Sequence, residues 1–151
     1  MNLRSQETYP VPAAAAHAAL ADPEGLTRIL RSQGVQVNEV TPGWPDGTDT
    51  IWKLGVGVKG IHRNVTLRVT QIRPDRGMVL AYESDGIHGE VVIDIAAAGP
   101  ESCTIAYDIA IAARGIAGRL MLQPLRVAQH RVEQKLHGRI TAFTRSRLGL
   151  A

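Results

Sequence analysis

Apolar side chains follow a two-residue period through the middle of the chain, from about residue 35 to residue 113. Stretches such as TIWKLGVGV and IHRNVTLRVTQI place an apolar residue at every second position, which is the pattern of a half-buried β-strand. Short turn clusters, including PGWPDGTD and RPDRG, separate these stretches. The pattern predicts six consecutive strands joined by short turns, and therefore an antiparallel meander.

The N-terminal part of the chain has a different pattern. The stretch LRSQETY is predicted to be a further strand, and the alanine-rich residues 13–21 are strong helix formers. Asp22 and Pro23 follow as an N-cap and a first helical residue for a second short helix. Gly34 is expected to end that helix. Two short helices are therefore predicted between the first strand and the meander.

After Gly115 the apolar period returns to that of an α-helix. Pro124 lies within this pattern, where it should start or kink the main helix. We expect one long helix from about Pro124 to Leu148. Its apolar stripe, which should pack on the sheet, consists of Leu125, Val132, Leu136, Ile140 and Phe143, with Leu122 and Gln129 between them.

Two stretches at the ends of the chain, YPVPAAAAHAALADPEGLTRIL and GIAGRLMLQPLRVAQHRVEQKLHGRITAF, carry a family resemblance. The chain resembles the START-like superfamily, also called SRPBCC or helix-grip proteins. Within it, the chain is most similar to the polyketide cyclase/dehydrase group and to the group that contains the G subunit of carbon monoxide dehydrogenase. The resemblance implies a single α+β domain over residues 1–151, in which a curved seven-stranded antiparallel sheet wraps around a long C-terminal helix. Two short helices would lie between strands 1 and 2.

The resemblance also implies a cavity between sheet and helix that holds a small apolar or amphipathic molecule. The superfamily includes lipid carriers, hormone receptors and cyclases, so the fold does not determine the activity. Alternation along the strands assigns side chains to the cavity face. The candidate ligand-binding residues are Glu7, Trp52, Arg63, Tyr82, Tyr107 and Gln129.

Glu7 and Arg63 stand out because a charge that faces inward costs several kcal/mol unless it is paired or solvated. Both are interpreted as anchors for a polar head group, with Tyr82 as a further polar contact. The alternative is a bulge or an open strand end that turns either charge outward. Trp52 and Tyr107 are expected to form apolar walls, although such tyrosines are often core residues with a satisfied hydroxyl.

Gln129 lies on the inner stripe of the helix and could bind either a ligand or a neighbouring backbone group. No metal site and no cofactor are expected, since His130 and His137 lie two helical turns apart and the sequence has no HExxH motif. Cys103 lies in an apolar strand, where a thiol is usually inert. Asp94 and Asp108 are expected to lie on a solvated or salt-bridged outer face.

The net charge of +3 conceals an asymmetry. From Arg114 onward the chain has eight Lys or Arg and one acid, which gives +7, whereas the first 113 residues have nine bases and thirteen acids, which gives −4. The basic segment lacks aromatic residues between Arg114 and Ala142, so nucleic-acid binding is not expected. Peripheral contact with an anionic membrane through Leu120, Met121 and Leu122 remains open.

Three functional hypotheses follow. The first is a module that binds a lipid, a quinone, or a polyketide-like or aromatic compound. The second is a cyclase, dehydratase or hydrolase that uses the same cavity, with Glu7 or Tyr82 as its acid–base group. The third is an assembly factor whose basic helix binds an acidic protein partner. Under each hypothesis the protein is expected to be a monomer or a homodimer. No stretch reaches the roughly 18 apolar residues of a membrane span, and no secretory signal is recognised, so a cytoplasmic location is expected.

Overall fold

A computed structural model of the chain describes residues 1–43, 48–58 and 60–150. Residues 44–47 of the predicted PGWPDGTD turn lie outside the described residues. The elements, in chain order, are β1 (Asn2–Tyr9), α1 (Ala13–Leu20), α2 (Pro23–Ser32), β2 (Gln36–Thr41), β3 (Ile51–Val58), β4 (Ile61–Arg73), β5 (Gly77–Ser84), β6 (Ile87–Gly99), β7 (Ser102–Ala113), α3 (Gly115–Val127) and α4 (Gln129–Arg147).

The strands form one seven-stranded antiparallel sheet in the order β1-β7-β6-β5-β4-β3-β2. Strands β2 to β7 are a meander in which each strand pairs with the next, and β1 joins the far edge by pairing with β7. Helices α1 and α2 lie between β1 and β2 in the chain. The predicted α+β architecture is therefore confirmed, including the seven antiparallel strands and the two short helices between β1 and β2.

The C-terminal helical segment differs from the prediction of one helix that begins near Pro124. Helix α3 already begins at Gly115 and contains Pro124, and a separate helix α4 begins at Gln129. Proline has no N–H, so Pro124 cannot donate the helical hydrogen bond to the preceding turn. The helical backbone continues past the proline and breaks at Ala128, whose φ of −102° and ψ of 22° lie outside the helical range.

The packed core occupies one half of the concave face of the sheet. Helix α1 and the end of α4 cover this half, where Ile105 and Cys103 are almost completely inaccessible to solvent. The other buried side chains of this core include Tyr9, Ala16, Leu20, Trp52, Leu54, Val69, Met78, Leu80, Ile93, Ile95 and Tyr107. The other half of the same face, toward α3, is less completely covered.

Candidate functional site

The half of the concave face that lies toward α3 carries apolar side chains that are only partly buried. Leu67 pairs with Tyr82, Tyr82 pairs with Gly89, and Gly89 pairs with Ile111, so these residues form one row across β4 to β7. Leu67, Tyr82 and Ile111 each retain exposed surface. Directly paired residues project to the same face of a sheet, so the row presents a continuous apolar surface.

The apolar stripe of the C-terminal helices is also partly exposed. Neither face is fully buried here. We call this partly exposed apolar surface between the sheet and the helices the groove. The stripe residues that retain exposed surface in this half are Leu125, Val132 and Leu136. Ile140 and Phe143, further along α4, pack against the core and line a separate cleft with Ile29 of α2.

Arg63 lies at the mouth of this groove. Its guanidinium donates a 3.4 Å hydrogen bond to the Asp85 carbonyl and contacts the sulfur of Met121 on α3. These residues line a cleft of about 480 Å³, together with Ile61, His62, Gly86 and Ala117. The side chain is half-buried and faces inward, as its position in β4 predicts, and the cleft beside it explains how the charge is tolerated.

Two glycines allow α3 to lie directly on the turn between β5 and β6. A Cβ atom on Gly118 would lie 2.1 Å from the Gly86 carbonyl oxygen, so no larger residue fits without displacing backbone. The same carbonyl accepts a 2.8 Å hydrogen bond from the N–H of Arg114, just before α3. Gly86 itself has a φ of +77°, which favours glycine. This contact places Met121 beside Arg63.

Tyr82 forms part of the floor of the groove. Its hydroxyl donates a 2.8 Å hydrogen bond to the Ala110 carbonyl on β7. The side chain crosses β6 at Gly89, where a Cβ atom would lie 2.8 Å from the tyrosine oxygen. Burial raises the pKa of the Tyr82 hydroxyl. The residue therefore presents its ring to the groove while its hydroxyl bonds to the sheet.

Trp52 and Tyr107, the predicted apolar walls, lie in the packed core. The Trp52 indole N–H donates a 2.9 Å hydrogen bond to the Thr27 hydroxyl of α2. The Tyr107 hydroxyl lies 2.7 Å from the Thr144 hydroxyl of α4. Burial raises the pKa of Tyr107 to about 12. Both residues have satisfied polar atoms, and their contact with a ligand stays a prediction.

Glu7 and Gln129 lie at the β1 edge of the sheet, away from Arg63 on the internal strand β4. The Gln129 amide donates a 3.1 Å hydrogen bond to the Asn2 carbonyl, so it bonds to the backbone of β1. Glu7 is exposed on β1, which three strands separate from β4. The structure therefore does not bring Glu7 and Arg63 together in one head-group site.

Glu7 belongs instead to a polar cluster between β1 and α4. Its carboxylate lies 3.7 Å from Nε2 of His137, and Nδ1 of the same ring lies 2.6 Å from the Ser5 hydroxyl. Ser5 is buried, whereas both other side chains are accessible to solvent. Alternation places Ser5 and Glu7 on the same face of β1, but no sequence signal indicates the approach of His137, because the contact depends on where α4 crosses the strand.

The remaining chemical groups are structural in character. Burial raises the pKa of the Cys103 thiol, as expected for an unreactive core cysteine. Asp94 and Asp108 pair on the outer face with Arg73 and Arg4, at 2.8 and 3.1 Å. Within residues 1–43, 48–58 and 60–150, no group of three or more His, Cys, Asp or Glu side chains is arranged to hold a metal ion. No helix in that part of the chain is long and apolar enough to span a membrane.

Comparison with known proteins identifies the fold. No family model and no curated protein matches the chain. A START superfamily protein from Mycobacterium smegmatis matches over 94% of this chain and 98% of its own, with a TM-score of 0.60 and 12% identity. Norcoclaurine synthase from Thalictrum flavum matches over 99% of this chain and 84% of its own, with a TM-score of 0.68 and 11% identity. The chain has the START-like helix-grip fold.

A third structure, Ara h 8.0201, matches the START-like fold of this chain over 99% of its length and 98% of the other chain, with a TM-score of 0.60 and 19% identity. The predicted resemblance is thus confirmed at the level of the fold. Identities this low show the fold and leave the activity to be argued from the site.

Proposed function

We propose that this protein binds a small amphipathic ligand in the groove between the sheet and helices α3 and α4. The apolar part of the ligand lies on the row that contains Leu67, Tyr82 and Ile111, and an acidic or strongly polar head group lies at Arg63. The observation that carries this proposal is a partly exposed apolar row that faces inward beside a half-buried arginine.

The energetics of the groove support an apolar ligand. Each Å² of apolar surface removed from water contributes about 25 cal/mol, so a row of large side chains left partly exposed on a concave face favours an occupant. Tyr82 already uses its hydroxyl on the Ala110 carbonyl, so it offers a ligand mainly its ring. The floor of the groove is therefore suited to hydrocarbon or aromatic groups.

The contacts of Arg63 support an anionic or polar head group. A guanidinium has five N–H donors. Arg63 uses these donors in two weak contacts. Its hydrogen bond to the Asp85 carbonyl is long, at 3.4 Å, and the Met121 thioether is a weak acceptor. A carboxylate, sulfonate or phosphate would form shorter, charge-assisted bonds with the same side chain.

One structural neighbour supports the size class of the ligand. Norcoclaurine synthase from Thalictrum flavum has been solved in complex with dopamine and hydroxybenzaldehyde, which are small aromatic molecules with polar groups. A ligand of this class would place an aromatic ring on Tyr82 and polar groups near Arg63.

The test is mass spectrometry of freshly purified protein, before and after solvent extraction, together with binding of the fluorescent probe anilinonaphthalene sulfonate. Leu67→Trp fills the groove and should reduce probe binding. Thr66→Trp adds the same side chain to the outer face of β4 and should leave binding unchanged. Equal binding by both variants, each shown to be folded by circular dichroism, would contradict the proposal.

The cluster of Ser5, His137 and Glu7 favours a second candidate function, acid–base or hydrolytic catalysis. A hydroxyl, an imidazole and a carboxylate in sequence are the groups that activate a nucleophile. The test is hydrolysis of a p-nitrophenyl ester by the wild type and by Ser5→Ala and Glu7→Gln. Catalysis predicts that both substitutions reduce turnover without reducing probe binding, and equal rates for all three proteins would exclude this function for the cluster.

A further inference from the structure

Helix α3 carries an apolar stripe that faces away from the protein. Ile116, Leu120 and Val127 are 78%, 65% and 88% exposed. At about 100° per residue they lie within roughly 40° of one another around the helix axis. The helix also has an inner apolar side, where Leu122 is 1% exposed. Because α3 already packs inward through Leu122, the outer stripe contributes nothing to the core.

The exposed stripe differs from the set of membrane-contacting residues expected from the sequence, which was Leu120, Met121 and Leu122. Leu120 is exposed, but Leu122 is buried and Met121 lies half-buried against Arg63. The contiguous run of three apolar residues is therefore divided between opposite sides of the helix. Ile116 and Val127, which the sequence pattern did not single out, share the exposed side with Leu120.

Positive charge flanks the stripe. Arg119 and Arg126 are exposed and lie roughly 60–80° to one side of it around the helix. Within the described part of the chain, neither forms an ion pair that would neutralise it. The segment from Arg114 to Arg131 contains four arginines and no acidic residue. The charge beside the stripe is therefore complementary to an anionic surface.

We propose that this face of α3 docks on the surface of an anionic lipid bilayer. Apolar side chains along one side of a helix, with arginines beside them, bind the interface by inserting among acyl chains while the guanidinium groups pair with phosphates. The stripe extends over about 16 Å of helix and presents three side chains. That is small against the roughly 800 Å² per partner of a stable protein interface, whereas a bilayer requires no matching contour.

The docked face adjoins the mouth of the groove. Ile61, which is 59% exposed, lines the same cleft as Ala117 and Met121 of α3. Docking through α3 would therefore bring the cleft at Arg63 close to the lipid surface, so an amphipathic ligand could pass between bilayer and groove without crossing bulk water. This last step rests on the proposed function, whereas the docking itself does not.

Sedimentation with lipid vesicles tests the docking. The wild type should bind vesicles of equimolar phosphatidylcholine and phosphatidylglycerol, bind pure phosphatidylcholine weakly, and lose affinity at high salt. Replacing both Ile116 and Leu120 by glutamine should weaken binding at least about tenfold. Arg119→Gln and Arg126→Gln should each weaken it about fivefold. All four side chains are exposed, so the variants should fold as the wild type does.

Arg31→Gln supplies the control, because Arg31 is an exposed arginine on α2 and should not affect sedimentation. The Leu67→Trp variant separates this proposal from the ligand proposal, since it blocks the groove and should still bind vesicles. Failure of the wild type to bind anionic vesicles would overturn the docking. The docking would also be overturned if the Ile116 and Leu120 double variant bound vesicles as well as the wild type does. The same holds if the stripe mediated a dimer or a complex with an acidic protein while the wild type did not bind vesicles.

Discussion

The hydroxyls of Tyr107 and Thr144 form a buried hydrogen bond of 2.7 Å that connects β7 to the last turns of α4. Thr144 has no measurable exposure, at 0%, and Tyr107 is almost fully buried. This bond therefore joins the end of the helix to β7, and the junction helps to hold α4 over the packed half of the sheet.

Breaking this junction should destabilise the protein. Thr144→Val keeps the shape but leaves the buried Tyr107 hydroxyl without its partner, which costs about 1–3 kcal/mol. A double-mutant cycle with Tyr107→Phe should give a coupling energy of about 1 kcal/mol in urea unfolding. Thr104→Val is the control, because Thr104 makes a similar 2.9 Å hydroxyl pair with Thr8 on the exposed face. If Thr104→Val lowered the free energy of unfolding as much as Thr144→Val does, burial of the Tyr107–Thr144 pair would not be the cause of its contribution.

Alkaline pH should destabilise the fold through Tyr107. Burial raises the pKa of Tyr107 from 10.0 to about 12, so between these values the folded protein retains a proton that the unfolded chain releases. Stability from this group is therefore complete below pH 10 and is lost as the pH rises through 12, by about 2–3 kcal/mol in all. Urea unfolding as a function of pH checks this.

Tyr107→Phe distinguishes this contribution from that of other groups. The variant should lose less stability between pH 10 and pH 12 than the wild type does, because phenylalanine does not titrate. Some loss should remain, since burial also raises the pKa of Tyr9 and Tyr82. An unchanged slope in the variant would show that Tyr107 does not carry the effect.

The fold could be predicted from the sequence because periodicity and turn residues act locally. Alternation along β4 placed Arg63 and Leu67 on the inner face, and the structure has them there. The break at Ala128 was not predictable in the same way, because Pro124 is compatible with a helix start, a kink or a helix interior. Packing of α3 on Gly86 favours the helix that begins at Gly115.

The candidate site was less predictable. The register of a strand determines which face a side chain points to, but it does not determine how deeply that side chain is buried. Trp52 and Leu67 both face inward, yet Trp52 is sealed by α2 whereas Leu67 retains exposed surface. Glu7 also has the inward register, but it lies on an edge strand near His137. Which inward residues are accessible depends on where the helices cross the sheet, and that is a long-range property.

Substitution of Gly118 by alanine should loosen α3. The added methyl group would lie 2.1 Å from the Gly86 carbonyl oxygen, and a backbone oxygen cannot yield without moving the turn. We expect a loss of about 1–3 kcal/mol in the free energy of unfolding. Gly138→Ala is the matched control, because Gly138 lies in α4 with open space at its Cβ position. This substitution should raise the free energy of unfolding by about 0.5–1 kcal/mol. Stabilisation by both substitutions would contradict the close contact of α3 with the turn.

Removing the charge of Arg63 should weaken binding of anionic ligands selectively. Arg63→Gln should reduce affinity for anilinonaphthalene sulfonate about tenfold, since a charge-assisted hydrogen bond contributes roughly 1.5–3 kcal/mol. Affinity for the neutral probe N-phenylnaphthylamine should change little, because the apolar row remains. Arg68→Gln makes the same change in net charge on the outer face of the same strand and should affect neither probe. Since long-range electrostatics would weaken sulfonate binding similarly in both variants, only a loss confined to Arg63→Gln places the head group at the mouth of the groove.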